Sequence, residues 1–362
     1  MATLRTPHHS GNADFRPTVL GDFVVSQTAN GASRSFPADA QFLSSAYGGI
    51  APEMAAVEEI LNREMSSRYE SVNEVVSYGC MLGGKRMRPA LLLLAAKACG
   101  QVTDAHYTLG AVIEMIHTAT LVHDDVLDEA DQRRHLATVN SRWNNETSVL
   151  LGDFLFSHAF YLATMLPTTC AARMIGRSTN IVCEGELRQI ASRQAFETTE
   201  EEYLAIIDAK TAELCACACE LGARYAEASE EQIAALEKFG RDLGIAFQIA
   251  DDLLDVEGNE VETGKSLGTD LEKQKPTLPL IYALHYFQGE QREQVLAIVE
   301  GPAENRGPGL RPWLAQCDAL GYARRRANEY IQSAIAALSI LPHSESRTTL
   351  EQLASFVTAR SC

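Results

Sequence analysis

Apolar residues recur at three- and four-residue steps along most of this chain. From residue 51 onward, Met54, Val57, Ile60 and Leu61 have the spacing that places side chains on one face of an α-helix. Further runs of this kind alternate with short breaks, and no credible period-two strand lies between them. We therefore predict an all-α fold, a bundle of helices.

The composition changes near residue 50. Residues 1–50 are rich in Ser, Thr, Gly, Ala and Asn without sustained periodicity, which is typical of a disordered or loosely ordered extension. The breaks beyond that point are short, and they lie at Gly83-Gly84, Pro167, Gly258, Pro276, Gly301–Pro312 and Pro342. One domain is therefore expected over residues 51–362.

The charge balance restricts the class of partner. Lys and Arg number 31 against 48 Asp and Glu, a net charge of −17, so a nucleic-acid partner is not expected. The chain has nine cysteines. They lack paired spacing, which indicates a reducing, cytoplasmic location. The longest apolar run, Pro89–Ala96, is far shorter than the ~20 residues of a membrane span. Cys215, Cys217 and Cys219 alternate along a helix and are interpreted as core residues rather than metal ligands.

An acidic motif ends the apolar stretch Ile113–Arg134. Asp124 and Asp128 lie four residues apart, so on a helix their carboxylates share one face about one 5.4 Å turn apart. Like charges in this arrangement repel each other, and either a solvated face or a bound cation explains them. Ligands of oxygen alone favour Mg²⁺, which completes its shell with water and substrate phosphates. Arg133 and Arg134 would suit those phosphates.

The acidic motif occurs a second time, behind another apolar run. Asp251, Asp252 and Asp255 repeat the spacing within Phe247–Asp255. Two such clusters that face each other across a bundle can hold several Mg²⁺ ions around one diphosphate. The second copy therefore favours the metal interpretation over a merely solvated face.

Two polar stretches carry further cations. Lys85 and Arg88 lie in Met81–Pro89, where two glycines can end one helix and a proline can begin the next, an anion-binding geometry. A solvated basic loop is the alternative. The break Gly258–Thr277 has the wrong spacing for a nucleotide-binding loop and follows a helix. It favours a mobile lid that brings Lys265 and Lys275 over a Mg²⁺-bound diphosphate.

Taken together, these motifs resemble those of the trans-isoprenyl diphosphate synthases. In the order of that family, the matching elements are G-G-K-R-M-R-P at 83–89, H-D-D-V-L-D-E-A-D-Q-R-R at 123–134, G-D-F-L at 152–155, K-T at 210–211, F-Q-I-A-D-D-L-L-D at 247–255 and G-K-S-L-G-T-D-L-E-K-Q-K-P-T at 264–277. The resemblance covers roughly residues 52 to 361. It implies a single-domain, isoprenoid-synthase-type helical bundle around a deep central cavity, in a homodimer.

The resemblance also implies residue roles. The expected ligands of up to three Mg²⁺ ions are Asp124, Asp128 and Asp251, then Asp125 and Asp255. The expected catalytic residues are Asp124, Asp128, Lys210, Asp251 and Lys265. The expected contacts of the allylic diphosphate are Arg133, Lys210, Thr211, Gln248, Lys265 and Lys275. The expected contacts of isopentenyl diphosphate are Lys85, Arg88, His117 and Arg134. One departure, His135-Leu136 where the family has Gly and a basic residue, puts the local turn in doubt.

The implied reaction is condensation of isopentenyl diphosphate with an allylic diphosphate. Ala119 and Thr120 lie one helical turn, about 5.4 Å, before Asp124, and their small side chains leave room for a growing chain. Met115 lies deeper, and it is a candidate for the end of the tunnel together with Phe156 or Phe160. We expect hexaprenyl to decaprenyl products for quinone side chains, with peripheral membrane contact for product release.

Other activities remain as alternatives. A farnesyl or geranylgeranyl diphosphate synthase is disfavoured by the small residues at 119 and 120. A class I terpene cyclase would have no use for a second diphosphate pocket. A regulatory subunit of a hetero-oligomer would be expected to lose an acidic motif, and both motifs are complete. A catalytic subunit that requires a small partner remains open.

Overall fold

The computed structural model describes residues 37–82, 84–134, 136–193, 195–257 and 273–359. Its helices are α1 (Pro37–Ala46), α2 (Ala51–Glu64), α3 (Glu70–Met81), α4 (Met87–Cys99), α5 (Asp104–Leu127), α6 (Val139–Arg142), α7 (Asn145–Thr164), α8 (Cys170–Ser192), α9 (Glu200–Ile207), α10 (Glu213–Tyr225), α11 (Glu230–Glu257), α12 (Leu278–Tyr286), α13 (Glu290–Glu300), α14 (Ala303–Gln316), α15 (Ala319–Ala337) and α16 (Glu345–Ala359). Turns of 3₁₀ helix lie at Gly48–Ile50 and Leu338–Ile340, and a π-helical turn lies at Asp208–Ala212. The all-α prediction is confirmed.

One short β ladder follows the first acidic motif. Strand β1 (Gln132–Arg133) pairs antiparallel with β2 (Leu136–Ala137). Two residues per strand are too few to produce the alternation by which a strand is recognised in sequence. The ladder turns the chain back immediately after α5 and so positions the arginine pair of the motif.

The helices that carry the two acidic motifs lie in the centre of the fold. Helix α5 packs against α2, α4 and α7, and Ile113, Met115 and Ile116 are fully buried on it. Helix α11 packs against α10 and α15, and α10 also contacts α4 and α5. Burial on several sides explains why α5 is apolar around most of its circumference. Both acidic ends therefore project from rigid, packed elements.

The predicted break at Gly301–Pro312 is wrong, because most of that stretch belongs to α14. Pro308 and Pro312 lie inside this helix, although each proline removes a helical hydrogen bond. Leu310 and Leu314 on the same helix are buried in a second apolar cluster with Phe287. This burial offsets the lost backbone bonds, and a composition rule cannot anticipate it.

The folded domain begins before residue 51. Phe42 on α1 stacks on Phe356 of α16 with ring centroids 4.2 Å apart. Leu43, Tyr47 and Ile50 are buried in the main core. Helix α1 therefore packs on the same core as the later helices, within a stretch that was predicted to be an extension. Residues 1–36 of the predicted extension lie outside the described residues.

The three alternating cysteines of α10 are core residues. Cys215, Cys217 and Cys219 are buried on α10, as the sequence predicted. The eight described cysteines are all free thiols. In the described part of the chain, no helix combines the length and apolar character needed to cross a membrane.

Candidate active site

The first acidic motif lies at the C-terminal end of α5. Asp124 is half-buried, and its Oδ2 lies 3.6 Å from Lys210 Nζ. Burial raises the pKa of Asp124, Lys210 opposes this effect, and the neighbouring Asp128 adds to it. Asp128 caps the helix, and its Oδ1 lies 3.2 Å from Arg193 Nη2. The two carboxylates are thus held near cations from other segments.

The middle aspartate of this motif has a different environment. Asp125 is only 2% exposed, and Arg133 Nε donates to its two carboxylate oxygens over 2.9 and 3.1 Å. The β ladder positions Arg133 for this ion pair. Both residues were predicted to contact ligands directly, and in this structure they bind each other.

The second acidic motif shows the same division. Asp251 and Asp255 are half-buried, whereas Asp252 is buried. Tyr203 Oη donates to Asp252 Oδ2, and Gln248 Nε2 donates to Asp252 Oδ1, each over 2.8 Å. A buried carboxylate needs hydrogen-bond donors for its oxygens, and Tyr203 and Gln248 supply them here. Asp252 therefore joins α9 to α11.

The π-helical turn Asp208–Ala212 connects the two motifs. Lys210 Nζ, close to Asp124 as described, donates to Glu186 Oε2 over 2.8 Å and to Gln189 Oε1 over 2.9 Å. Thr211 Oγ1 donates to Gln248 Oε1 over 2.8 Å, and Gln248 reaches the second motif through Asp252. One turn of chain thus contacts both acidic helices.

A cluster of basic side chains, called the basic pocket below, lies around His117 and includes Arg88 and Arg134. Burial lowers the pKa of His117 well below its usual range, and the charges of Arg88 and Arg134 lower it further. Arg88 Nε is buried and has no hydrogen-bond partner among the described residues. A buried donor of this kind requires an acceptor, and an anionic ligand would supply one.

The pocket loop is fixed from two sides. Arg86 has a left-handed backbone (φ 52°) and donates to Glu58 over 2.7 Å and to Glu114 over 2.9 Å. Tyr47 Oη donates to the carbonyl oxygen of Lys85 over 3.1 Å. Burial raises the pKa of Tyr47, and Glu114 adds to the rise, so the phenol remains a donor.

Gly84 allows a close approach of Arg134 in this loop. A Cβ atom at this position would lie 2.6 Å from Arg134 Nη2, nearer than side-chain carbons are found. The glycine of the predicted frame therefore makes room for a cation of the same pocket. Gly83, the other glycine of the frame, lies outside the described residues.

The predicted lid falls largely outside the described residues, and Lys265 is among the residues left out. Lys275 Nζ lies 3.8 Å from Asp252 Oδ1. Lys273 donates to the backbone oxygen of Asp128 over 2.8 Å. The end of this polar stretch thus places one cation near each acidic motif, Lys273 at the first and Lys275 at the second. Lys273 was not among the residues predicted from the sequence.

The positions expected to control product length line the same helix. Ala119 and Met115 are fully buried on α5. Thr120 is half-buried, and its hydroxyl donates to the backbone oxygen of His117 over 2.8 Å. Phe156 stacks on His123, the residue directly before Asp124, with ring centroids 6.0 Å apart.

Several partners of the predicted residues were missed by sequence reasoning. They are Glu186, Gln189, Arg193, Tyr203 and Lys273. Glu186 and Gln189 lie three residues apart on α8, so helical spacing alone could have paired them. The contacts of the other three depend on tertiary packing. Within the described ranges, no three His, Cys, Asp or Glu side chains converge on one metal position.

Known proteins are similar to this chain in both sequence and fold. A family model described as polyprenyl synthetase matches residues 69–308. The octaprenyl diphosphate synthase of Escherichia coli is 38% identical over 311 residues, which are 86% of this chain and 96% of that protein. A decaprenyl diphosphate synthase structure from Rhodobacter capsulatus has a TM-score of 0.83 at 36% identity and covers 88% of this chain and 99% of its own. The structure of a Caulobacter crescentus polyprenyl synthase, complexed with calcium and isoprenyl diphosphate, has a TM-score of 0.81 at 34% identity. The match covers 89% of this chain and 98% of that one. The chain therefore belongs to the trans-isoprenyl diphosphate synthase family, the polyprenyl synthetases, and is a prenyltransferase.

Proposed function

We propose that this protein is a Mg²⁺-dependent trans-polyprenyl diphosphate synthase that makes medium- to long-chain products for quinone side chains. The observation that carries this proposal is the π-helical turn, whose Lys210 contacts the first acidic motif and whose Thr211 reaches the second through Gln248. Two acidic motifs joined by one turn that carries a cation suit a ligand that is a metal-bound diphosphate.

Asp124, Asp128 and Asp251 would hold the metal, up to three ions, with Asp125 and Asp255 in supporting places. The donor set fits a hard divalent cation because it consists of carboxylate oxygens, and the repulsion between Asp124 and Asp128 would be relieved by a cation. Bound Mg²⁺ would neutralise charge that develops on the departing diphosphate. The Caulobacter relative forms a complex with calcium and isoprenyl diphosphate, which supports a divalent ion as the metal of this family.

Lys210 would bind the allylic diphosphate and stabilise it as it leaves, together with Lys265 and Lys275. The bond between the allylic carbon and the diphosphate oxygen breaks, and its electron pair leaves with the diphosphate. Thr211 and Gln248 would line the path of this substrate. Arg133, held by Asp125, would direct its positive charge at the same region from a fixed place.

Lys85, Arg88, His117 and Arg134 would hold isopentenyl diphosphate in the basic pocket. The unpartnered Nε of Arg88 supports this assignment, since a diphosphate oxygen would accept from it. The double bond of isopentenyl diphosphate attacks the allylic cation and forms the new carbon–carbon bond. A proton is then lost to the released diphosphate, and the buried apolar side chains around α5 exclude water from the cation.

The small Ala119 and Thr120 support a product beyond geranylgeranyl length. A chain that grows from Asp124 along α5 would pass these positions and reach Met115. The names of the octaprenyl and decaprenyl relatives support the same size class. Phe156 and Phe160 are further candidates for the end of the tunnel.

The enzyme would act as a homodimer in the cytoplasm, with peripheral membrane contact during product release. Leu150 on α7 and Leu187 on α8 are 60% and 68% exposed, and these two helices are neighbours. A second copy of the chain would cover these apolar side chains. The free thiols of the described cysteines support a reducing compartment.

The activity is tested with the purified full-length protein. It is incubated with Mg²⁺, radiolabelled isopentenyl diphosphate and farnesyl diphosphate, and label in solvent-extractable product is counted. We expect product with Mg²⁺, none after EDTA treatment, and recovery when excess Mg²⁺ is added. The proposal fails if folded protein gives no product from farnesyl or geranylgeranyl diphosphate. Activity that appears only with a second protein would instead indicate a hetero-oligomeric enzyme.

A further inference from the structure

The turn that carries Lys210 and Thr211 has an unusual backbone. Helix α9 ends at Ile207, α10 begins at Glu213, and the five residues between them form a π-helical turn. A π turn inserts an extra residue into a helix; such turns are rare and frequently lie at functional sites. The extra residue rotates the following side chains, so the direction of Lys210 depends on how well this turn is held.

Helix α11 packs directly on the turn. A Cβ atom at Gly244 would lie 2.5 Å from Ala212 Cα, so no side chain separates the two backbones. Arg241 lies three residues earlier on α11 and therefore faces the same neighbour. The turn and this part of α11 thus form one packed unit.

Arg241 contacts both ends of the turn with one guanidinium group. Its Nη1 donates to Asp208 Oδ1 over 2.7 Å, where the turn begins. Its Nη2 donates to Glu213 Oε2 over 2.9 Å, where α10 begins. Glu213 is buried, and its other oxygen accepts from Ser178 on α8 over 2.7 Å. The rigid fork of an arginine fixes the distance between two carboxylates in a way that a lysine cannot.

We propose that Arg241 is a positioning residue for the prenyl-transfer reaction. It holds the two ends of the π turn together, and the turn then directs Lys210 towards Asp124 and Thr211 towards Gln248. The contacts of Arg241 are with Asp208, Glu213 and Glu237, so its effect on the reaction passes through the turn. This inference rests on the proposed function, in which Lys210 binds the allylic diphosphate.

The same helix offers a matched control. Lys238 Nζ donates to the buried Asp242 over 2.7 Å and to Ser333 on α15 over 2.9 Å. Lys238→Met therefore removes an ion pair on a buried carboxylate of α11 without touching the π turn. Comparison with Arg241→Met separates loss of position at the turn from general loss of stability in α11.

The functional test is a double-mutant cycle of Arg241→Met with Lys210→Met, read as kcat/KM for the allylic diphosphate. We expect Arg241→Met alone to lower this value about 10- to 100-fold, as a misplaced catalytic group does. In the Lys210→Met background it should add less than about twofold, because the group it positions is gone. Lys238→Met should leave kcat/KM nearly unchanged in both backgrounds. Arg241→Lys should rescue only part of the loss.

A second readout does not depend on turnover. Amide hydrogen exchange of peptides that cover residues 208–213 should quicken in Arg241→Met and not in Lys238→Met. Unchanged exchange, or additive effects in the cycle with an active wild type, would overturn the positioning role alone. An inactive wild type would overturn the proposed function and this inference with it.

Discussion

Neighbouring aspartates in each motif have different environments. Asp125 and Asp252 are 2% and 1% exposed and have side-chain hydrogen-bond partners, whereas the preceding Asp124 and Asp251 are half-buried. The Asp128 side chain is 43% exposed. Consecutive residues on a helix point about 100° apart, so one carboxylate faces the core while the next faces the site. The D-D-x-x-D pattern therefore encodes both a candidate ligand pair and an internal anchor.

This difference predicts that two conservative changes lower the free energy of unfolding by different amounts. Asp125→Asn should lower the free energy of unfolding by about 3–5 kcal/mol, because Arg133 loses its charged partner in a buried pair. Asp128→Asn should lower it by less than about 1 kcal/mol, because its ion pairs are exposed, yet should abolish turnover. Urea unfolding and the product assay measure the two effects. Equal losses of stability in both variants would contradict the division of roles.

A second residue-scale prediction concerns the basic pocket. Gly84→Ala introduces a methyl group 2.6 Å from Arg134 Nη2, so the guanidinium must move. We expect the KM for isopentenyl diphosphate to rise about tenfold while the KM for the allylic substrate changes little, which is a loss of binding to one substrate. Gly48→Ala is the control, since a Cβ there meets nothing within 4 Å. A rise in both KM values would show that the pocket is not specific to one diphosphate.

At the scale of elements, the residue between α1 and the following 3₁₀ turn contacts the loop that carries Lys85. Tyr47 Oη donates to the Lys85 carbonyl oxygen, and Phe42 ties α1 to α16. The sequence before residue 51 has little periodicity and does not predict these contacts, because they depend on the packing of α1 on α16. A region predicted to be an extension thus contacts the loop that carries Lys85.

Tyr47→Phe tests this support. It removes the hydroxyl alone, so the free energy of unfolding should fall by about 1 kcal/mol. The KM for isopentenyl diphosphate should rise about two- to fivefold, since the Lys85 loop is less firmly held. Phe42→Leu serves as the control, because it weakens the packing of α1 without removing the hydrogen bond. If Tyr47→Phe changes stability but no kinetic constant, the element has no role at the site.

Several elements could be predicted from sequence and others could not. The helices around Asp124 and Asp251 follow from long apolar periodicity, and the residue types there indicate metal chemistry. The π turn at Lys210 could not be predicted, since it depends on the glycine contact with α11 and on Arg241. Helix α14 was missed because its two prolines predict a break in the helix, whereas the burial of Leu310 that stabilises it depends on tertiary packing.

At the scale of the whole molecule, the exposed apolar side chains of α7 and α8 predict self-association. Leu150→Lys together with Leu187→Lys should convert a dimer to a monomer in light scattering, because two buried charges would face each other without partners. Ile340→Lys, at another exposed apolar position, is the control and should remain dimeric. A wild-type mass of one chain would contradict the proposed assembly.

The chain length of the product tests the central claim most directly. Wild type and Ala119→Tyr are given the same Mg²⁺, farnesyl diphosphate and labelled isopentenyl diphosphate, and products are resolved by chromatography after both proteins are shown to fold. We predict products beyond geranylgeranyl length from the wild type and shorter ones from the variant. Tyrosine at this position, five residues or about 7.5 Å along α5 before Asp124, would block the proposed path of the growing chain. Wild-type products that end at farnesyl or geranylgeranyl length, or an unchanged distribution in the variant, would contradict the account.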